Sequence, residues 1–193
     1  GRGLVIMVMQ TQPSGSSPSA PAGVTYDGVA MTQEGTQTSS GVYPGRVTLY
    51  TLIAPSSGAN DCVVTFATSG TAWSGASVGS LSFEGLNQTD MADVAFQATH
   101  SASGSNNDNL THANDATSTV AGQFCVSGLQ WTGNPINEAL GTNMSGLAAT
   151  YWQAAYGYQE ATGTTTTMGY NFTNNASHAS AHVGLKLLSD VYS

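Results

Sequence analysis

Apolar side chains recur at every second position along most of the chain. No window of useful length repeats them at i, i+3, i+4 and i+7 between helix caps. The pattern therefore predicts strands. The first is Gly3 to Gln10, almost wholly Leu, Val, Ile and Met. Thr11 to Gly23 is dense in Pro, Ser and Gly and reads as a flexible linker or long turn, before a second strand at Val24 to Gln33. Arg46 to Ile53 and Asp61 to Thr68 flank the turn Pro55-Ser-Ser-Gly58 and read as a hairpin. In Ala76 to Glu84, Val78 is out of step with Leu81 and Phe83, which predicts a bulge or break near Gly79. Met91 to Thr99 is a further strand, whereas the Asn- and Asp-rich stretch Ser101 to Thr117 reads as a loop or irregular edge. Ser118 to Gln130, Gly146 to Gln159, Thr164 to Thr173 and His178 to Leu188 complete the set.

About ten strands with turn signals between them predict an all-β fold, a two-sheet antiparallel β-sandwich of jelly-roll type. The 193 residues suffice for one sizeable domain, and neither a fixed-period repeat nor a change of composition divides them. The expected organisation is a single domain over 1–193, with its first strand in 1–10 and the linker in 11–23. Composition then narrows the class. Hydrophobic residues make up 40%, enough for a packed core, but charged residues only 7%, with three Lys and Arg against eleven Asp and Glu and a net charge of −8. Arg2, Arg46 and Lys186 cannot form the basic stripe that nucleic acid or anionic lipid requires. The apolar run Leu4 to Met9 is far shorter than the roughly 20 residues of a membrane helix, so no membrane insertion is expected. Solubility rests on Ser, Thr, Asn, Gln and Gly, a composition that predicts an extracellular or virion-surface setting. A chain opening on Gly1 with no initiator Met predicts processing or excision from something longer.

Several segments together resemble a known module. They are Val24-Thr-Tyr-Asp-Gly-Val-Ala-Met-Thr32, Val47-Thr-Leu-Tyr-Thr-Leu52, Pro55-Ser-Ser-Gly58, Val63-Val-Thr-Phe66 and Ser82-Phe-Glu-Gly-Leu-Asn-Gln-Thr89. With Leu4-Val-Ile-Met-Val8 at the start and Val183-Gly-Leu-Lys-Leu187 at the end, the set is similar to the jelly-roll, concanavalin A-like module of phage structural proteins and bacterial secreted proteins. The resemblance implies a coat-like or lectin-like scaffold. It carries no catalytic residue across.

Candidate chemistry is sparse. Gly75-Ala-Ser77-Val-Gly79 matches a nucleophile elbow, but Ser80-Leu-Ser-Phe continues as strand and supplies no helix. Glu84, Glu138 and Glu160 lie in separate segments rather than paired for glycoside hydrolysis. His178 and His182 share a strand face too far apart to chelate one ion, and no metal or other cofactor is expected. The Asn106 to Asp115 stretch has oxygen ligands for Ca²⁺ but lacks the Gly and terminal Glu of an EF-hand loop. Trp131, Trp152, Tyr156 and Tyr158 are the candidate platform for a sugar ring, with core packing as the competing use. Cys62 and Cys125 are the only cysteines; an even count favours a disulfide, strand parity opposes it, and the sequence leaves both states open.

These readings converge on a non-enzymatic structural surface protein. It would be a self-assembling coat or decoration subunit of a phage particle, or a subunit of an extracellular filament. Leu4, Val5, Ile6, Met7, Val8 and Met9 are the candidate assembly strand, donated to a neighbour's sheet edge. Its partners would be copies of itself or other virion or surface proteins. A secreted carbohydrate-binding, lectin-like module is the alternative, with glycans as partners.

Overall fold

A computed structural model describes residues 1–12, 17–39, 44–67, 75–104, 107–113, 121–132, 139–140, 145–149, 154–163, 165–171 and 176–188. Fifteen strands and no α-helix occur among them, against the roughly ten strands that the turn signals suggested. They are β1 (Arg2–Thr11), β2 (Pro21–Tyr26), β3 (Val29–Ala30), β4 (Thr32–Thr38), β5 (Gly45–Ile53), β6 (Cys62–Phe66), β7 (Gly75–Glu84) and β8 (Ala92–Gly104). Then follow β9 (Asn107–Ala113), β10 (Phe124–Thr132), β11 (Ala139–Leu140), β12 (Ser145–Ala149), β13 (Ala154–Glu160), β14 (Thr165–Asn171) and β15 (Ala176–Leu185). Every ladder is antiparallel.

Two principal sheets face each other, one ordered β4-β5-β1-β7 and the other β12-β13-β10-β15-β8. Val5, Met7 and Met9 of β1 and Val47 and Leu49 of β5 meet Val126 of β10 and Ala179, Ala181, Val183 and Leu185 of β15 between them. The small alanines on β15 let the sheets approach. Gly128 serves the same purpose, because a Cβ there would lie 2.9 Å from Val47 Cγ2.

The expectation of only two sheets is corrected. Leu4, Ile6 and Val8, the other face of β1, pack with Tyr50 against Val24 of β2 and Met31, and a ribbon ordered β3-β2-β6 covers them. On the far side of the second sheet, Cys125 packs with Ala161 and Met168, the latter from β14 of a sheet ordered β11-β14-β9. The reason is legible in β1 itself. An unbroken apolar strand cannot turn one face to water, so both of its faces need a layer. Val5, Ile6, Met7 and Val8 are all at most 1% exposed, and each such burial is worth roughly 1.5–3 kcal/mol.

Several local expectations also change: Gly146 to Gln159, for one, is not a single strand but two, β12 and β13, paired antiparallel with each other. Val24 to Gln33 is not one strand, because Asp27 and Gly28 at φ +50° and +75° form a two-residue turn between Tyr26 and Val29. Arg46 to Ile53 and Asp61 to Thr68 are not a hairpin: both edges of β5 are taken, by β1 and β4, and β6 crosses to the ribbon to pair with β2. No bulge interrupts the strand at Gly79, since β7 keeps register with β1 from Arg2↔Glu84 to Thr11↔Gly75. Ser101 to Thr117, read as a loop or irregular edge, contains the end of β8 and all of β9, each outermost in its sheet, the latter paired with β14. Cross-strand pairing there does not need apolar side chains. Of the expected linker, Ser17 to Ala20 is held in place: the Gln10 side-chain amide donates to Ser19 O at 3.1 Å and Arg46 Nε to Pro18 O at 2.6 Å.

Candidate functional site

The sugar platform does not come together. Register places Tyr156 and Tyr158 opposite Gly128 and Val126, on the face of the second sheet that looks into the sandwich. There Tyr158 forms an aromatic cluster with Phe83 and Phe124, at centroid distances of 5.6 and 6.0 Å, while Tyr156 lies across Gly79. Trp131 points to the opposite face and is fully buried. One apolar sheet therefore separates the aromatics that the sequence grouped. Trp152 lies outside the described residues, as do Glu138, Asn106 and Asp115.

The two thiols are both free, which corrects the open question of a disulfide. Cys62 is exposed in the ribbon over one principal sheet, and Cys125 is buried on the outer face of the other. Both principal sheets stand between them, far beyond the roughly 4.4–6.8 Å Cα separation that a disulfide spans. Burial pushes the Cys125 thiol up to about 12, opposed by a hydrogen bond with Thr166 and reinforced by the charge of Asp93. At neutral pH it is a small core side chain. His178, Ser180 and His182 are buried on that same outer face, opposite Trp131, Leu129 and Ser127 in register. No cluster of three or more His, Cys, Asp or Glu suited to a metal occurs among the described residues.

The proposed assembly strand is the most enclosed element of its sheet. β1 pairs with β5 on one edge and β7 on the other along its whole length, and Leu4 to Met9 are buried on both faces. Donating it to a neighbour would require opening two ladders and two core layers at once.

A different strand of the same sheet is available. β7 pairs only with β1, and its outer edge carries no partner strand among the described residues. Its inner face, Gly79, Leu81 and Phe83, is packed, whereas Ala76, Val78, Ser80, Ser82 and Glu84 are exposed. The overlying ribbon leaves this strip bare for a geometric reason. Only Met31 separates β3 from β4, so the ribbon is tethered at the β4 side of the sheet. The two edges of the sheet also differ in kind. β4 carries Glu34 and a register shift between Gln33 and Gly35, devices that discourage further pairing. β7 has no bulge, no proline, no lysine and one charge, Glu84 at its end.

At that end β7 borders a shallow groove of about 290 Å³, lined by Arg2, Tyr26, Ser56, Ser57, Ser82 and Glu84 among others. Its rim is fixed by the turns of the ribbon. The Ser56 hydroxyl donates to Asp27 Oδ2 at 2.5 Å, the Tyr26 hydroxyl to Gly58 O at 3.4 Å, and the Ala54 amide to Arg2 O at 3.0 Å with Ala54 at φ +48°. A serine held by a carboxylate, with no histidine in the lining to take its proton, does not make a nucleophile.

The sequence reading missed β7 as an edge because period-two alternation does not say which strands are outermost. The signal it could have used is the comparison of Ala76–Glu84, free of internal charge, with the glutamate-bearing Thr32–Thr38. No family model, no curated protein and no solved structure matches this chain.

Proposed function

We propose that this protein is a non-enzymatic structural surface subunit of jelly-roll type that assembles with copies of itself. It would do so on a phage particle, as coat or decoration, or in an extracellular filament. One observation carries the reading: a principal sheet ends in a ten-residue strand whose outer edge has no partner among the described residues and no proline, lysine or bulge, its one charge being Glu84 at the end. The route differs from the one the sequence suggested, because assembly runs through an edge and leaves β1 in place.

Charge is consistent with this route. Copies that each carry −8 repel at long range, and three basic residues cannot form a network of intersubunit ion pairs. Contact must rest on backbone pairing and apolar surface, so added salt strengthens it by screening the repulsion. Of the platform that the lectin-like alternative would use, Trp131 is fully buried and Tyr156 and Tyr158 are half-buried against the core.

The test is mass photometry over a dilution series at low and high salt, with negative-stain electron microscopy of the same samples. Oligomers or filaments that grow with concentration and with salt are expected. A monomer under every condition overturns the reading.

A further inference from the structure

We propose that the partner of β7 is β7 of a second copy, paired antiparallel about a two-fold axis with Val78 opposite Val78. This rests on the self-assembly reading above and names its interface. The product is a continuous eight-stranded sheet in which each sheet's open edge closes the other's.

Two features of the strand select a second copy as occupant. Its charge pattern is self-compatible: Glu84 is the only ionisable residue in β7, and the two-fold sends the two copies of it to opposite ends of the interface. No such cancellation is available to the β4 edge, where Glu34 sits mid-strand. Its apolar surface is self-complementary as well. Val78 is 49% exposed, one of four large hydrophobics so exposed among the described residues, and lies near the middle of the ten-residue edge strand β7. Val63, also exposed, sits on a strand of five residues. Placing Val78 on the axis covers both copies with a β-branched cross-strand pair.

The register then follows. With Val78 facing itself, Ser80 faces Ala76 and Leu81 faces Gly75, so Gly75–Leu81 of each copy run side by side. Ser82, Phe83 and Glu84 extend past the shared segment, which keeps the groove at Arg2 and Tyr26 outside the contact. An isologous contact of this kind closes on itself and yields dimers. Larger assemblies would have to use a second surface.

Site-directed cross-linking tests the pairing. In a C62S background, which removes the exposed native thiol, V78C is expected to oxidise to a disulfide-linked dimer under mild oxidant. S80C in the same background is expected to stay monomeric on denaturing gels, because its two copies lie four residues apart along the strand, roughly 13 Å. V78K, an edge lysine on an exposed position, is expected to raise the dimer dissociation constant at least about tenfold, with circular dichroism unchanged. Failure of V78C to cross-link, with association of V78K equal to wild type, overturns the β7 interface while the self-assembly reading stands. Cross-linking from S80C in place of V78C overturns the register. A wild-type chain that is monomeric throughout overturns the assembly reading itself.

Discussion

Gly79 is where the two principal sheets can be tested against each other. It sits in the middle of β7, opposite Met7, and its missing side chain leaves room for the ring of Tyr156 from β13. A Cβ built there would lie 2.5, 2.7 and 2.8 Å from three atoms of that ring. To restore ordinary contact the ring must withdraw by roughly an ångström, out of a place it holds against the packed core. Overpacking of this size costs about 1–3 kcal/mol. Replacing a strand glycine by alanine recovers about 0.5–1 kcal/mol of backbone entropy, so Gly79→Ala should destabilise by up to about 2.5 kcal/mol net. The diagnostic comparison is with Tyr156→Ala, which empties the space. In that background Gly79→Ala should be neutral or mildly stabilising, giving a coupling of about 1–3 kcal/mol between residues on different sheets. Urea unfolding of the four chains, followed by tryptophan fluorescence, measures it. Equal loss from Gly79→Ala in both backgrounds would refute the facing of β7 and β13.

Thiol titration with a bulky disulfide reagent at pH 8 should label Cys62 alone, with Cys125 reacting only after denaturation; two fast thiols in the native state would contradict the burial of β10. Stability should fall with rising alkalinity. The folded Cys125 holds its proton up to about 12, whereas the unfolded thiol releases it near about 8.5. In that interval the folded state binds the extra proton, so each pH unit removes up to about 1.4 kcal/mol. Cys125→Ala should show a flatter profile between about pH 8.5 and 10, and an identical slope would sink the assignment. Burial also raises Tyr50, which adds a loss common to both chains at higher pH. Ile6→Ala and Met7→Ala should each cost about 2–5 kcal/mol although they point to opposite faces of β1; if either is cheap by urea unfolding, the layer on that face is not packed as described.

Most strand positions were legible because period-two alternation survives wherever a strand has one wet face, as in β7. The layer count was not, and β1, β10 and β15 show why. Strands buried on both faces read as apolar runs or as small-residue stretches such as Ala179-Ser-Ala181, and neither pattern says how many sheets surround them. Pairing was equally hidden. Pro55-Ser-Ser-Gly58 is a turn, but whether the strands it joins pair depends on which edges are already occupied, and β1 occupies the one on β5. The candidate platform is divided because Trp131 on β10 and Tyr156 and Tyr158 on β13 lie on opposite faces of one sheet, whose two sides have different neighbours. Side-chain parity was correct in Ala76 to Glu84, where Val78 faces away from Leu81 and Phe83. Identifying the face that meets water required the whole topology.

The low charge on which the expectation of no nucleic-acid or membrane partner rests also removes the usual means of protecting an edge. A soluble monomer ordinarily guards its outermost strands with lysines, inward charges, prolines or bulges. With only three basic residues in 193, this chain has few to spend, and none lies on β7. Yet β4 of the same sheet is guarded, by Glu34 and a register shift, and Arg46 beside it is held by Pro18 and Thr36. Uniform scarcity of charge would leave both edges bare. One guarded edge and one open edge on a single sheet instead give that sheet a direction in which it can be extended and a direction in which it cannot. That asymmetry limits pairing through this sheet to one event per copy, as a defined interface requires and indiscriminate aggregation lacks.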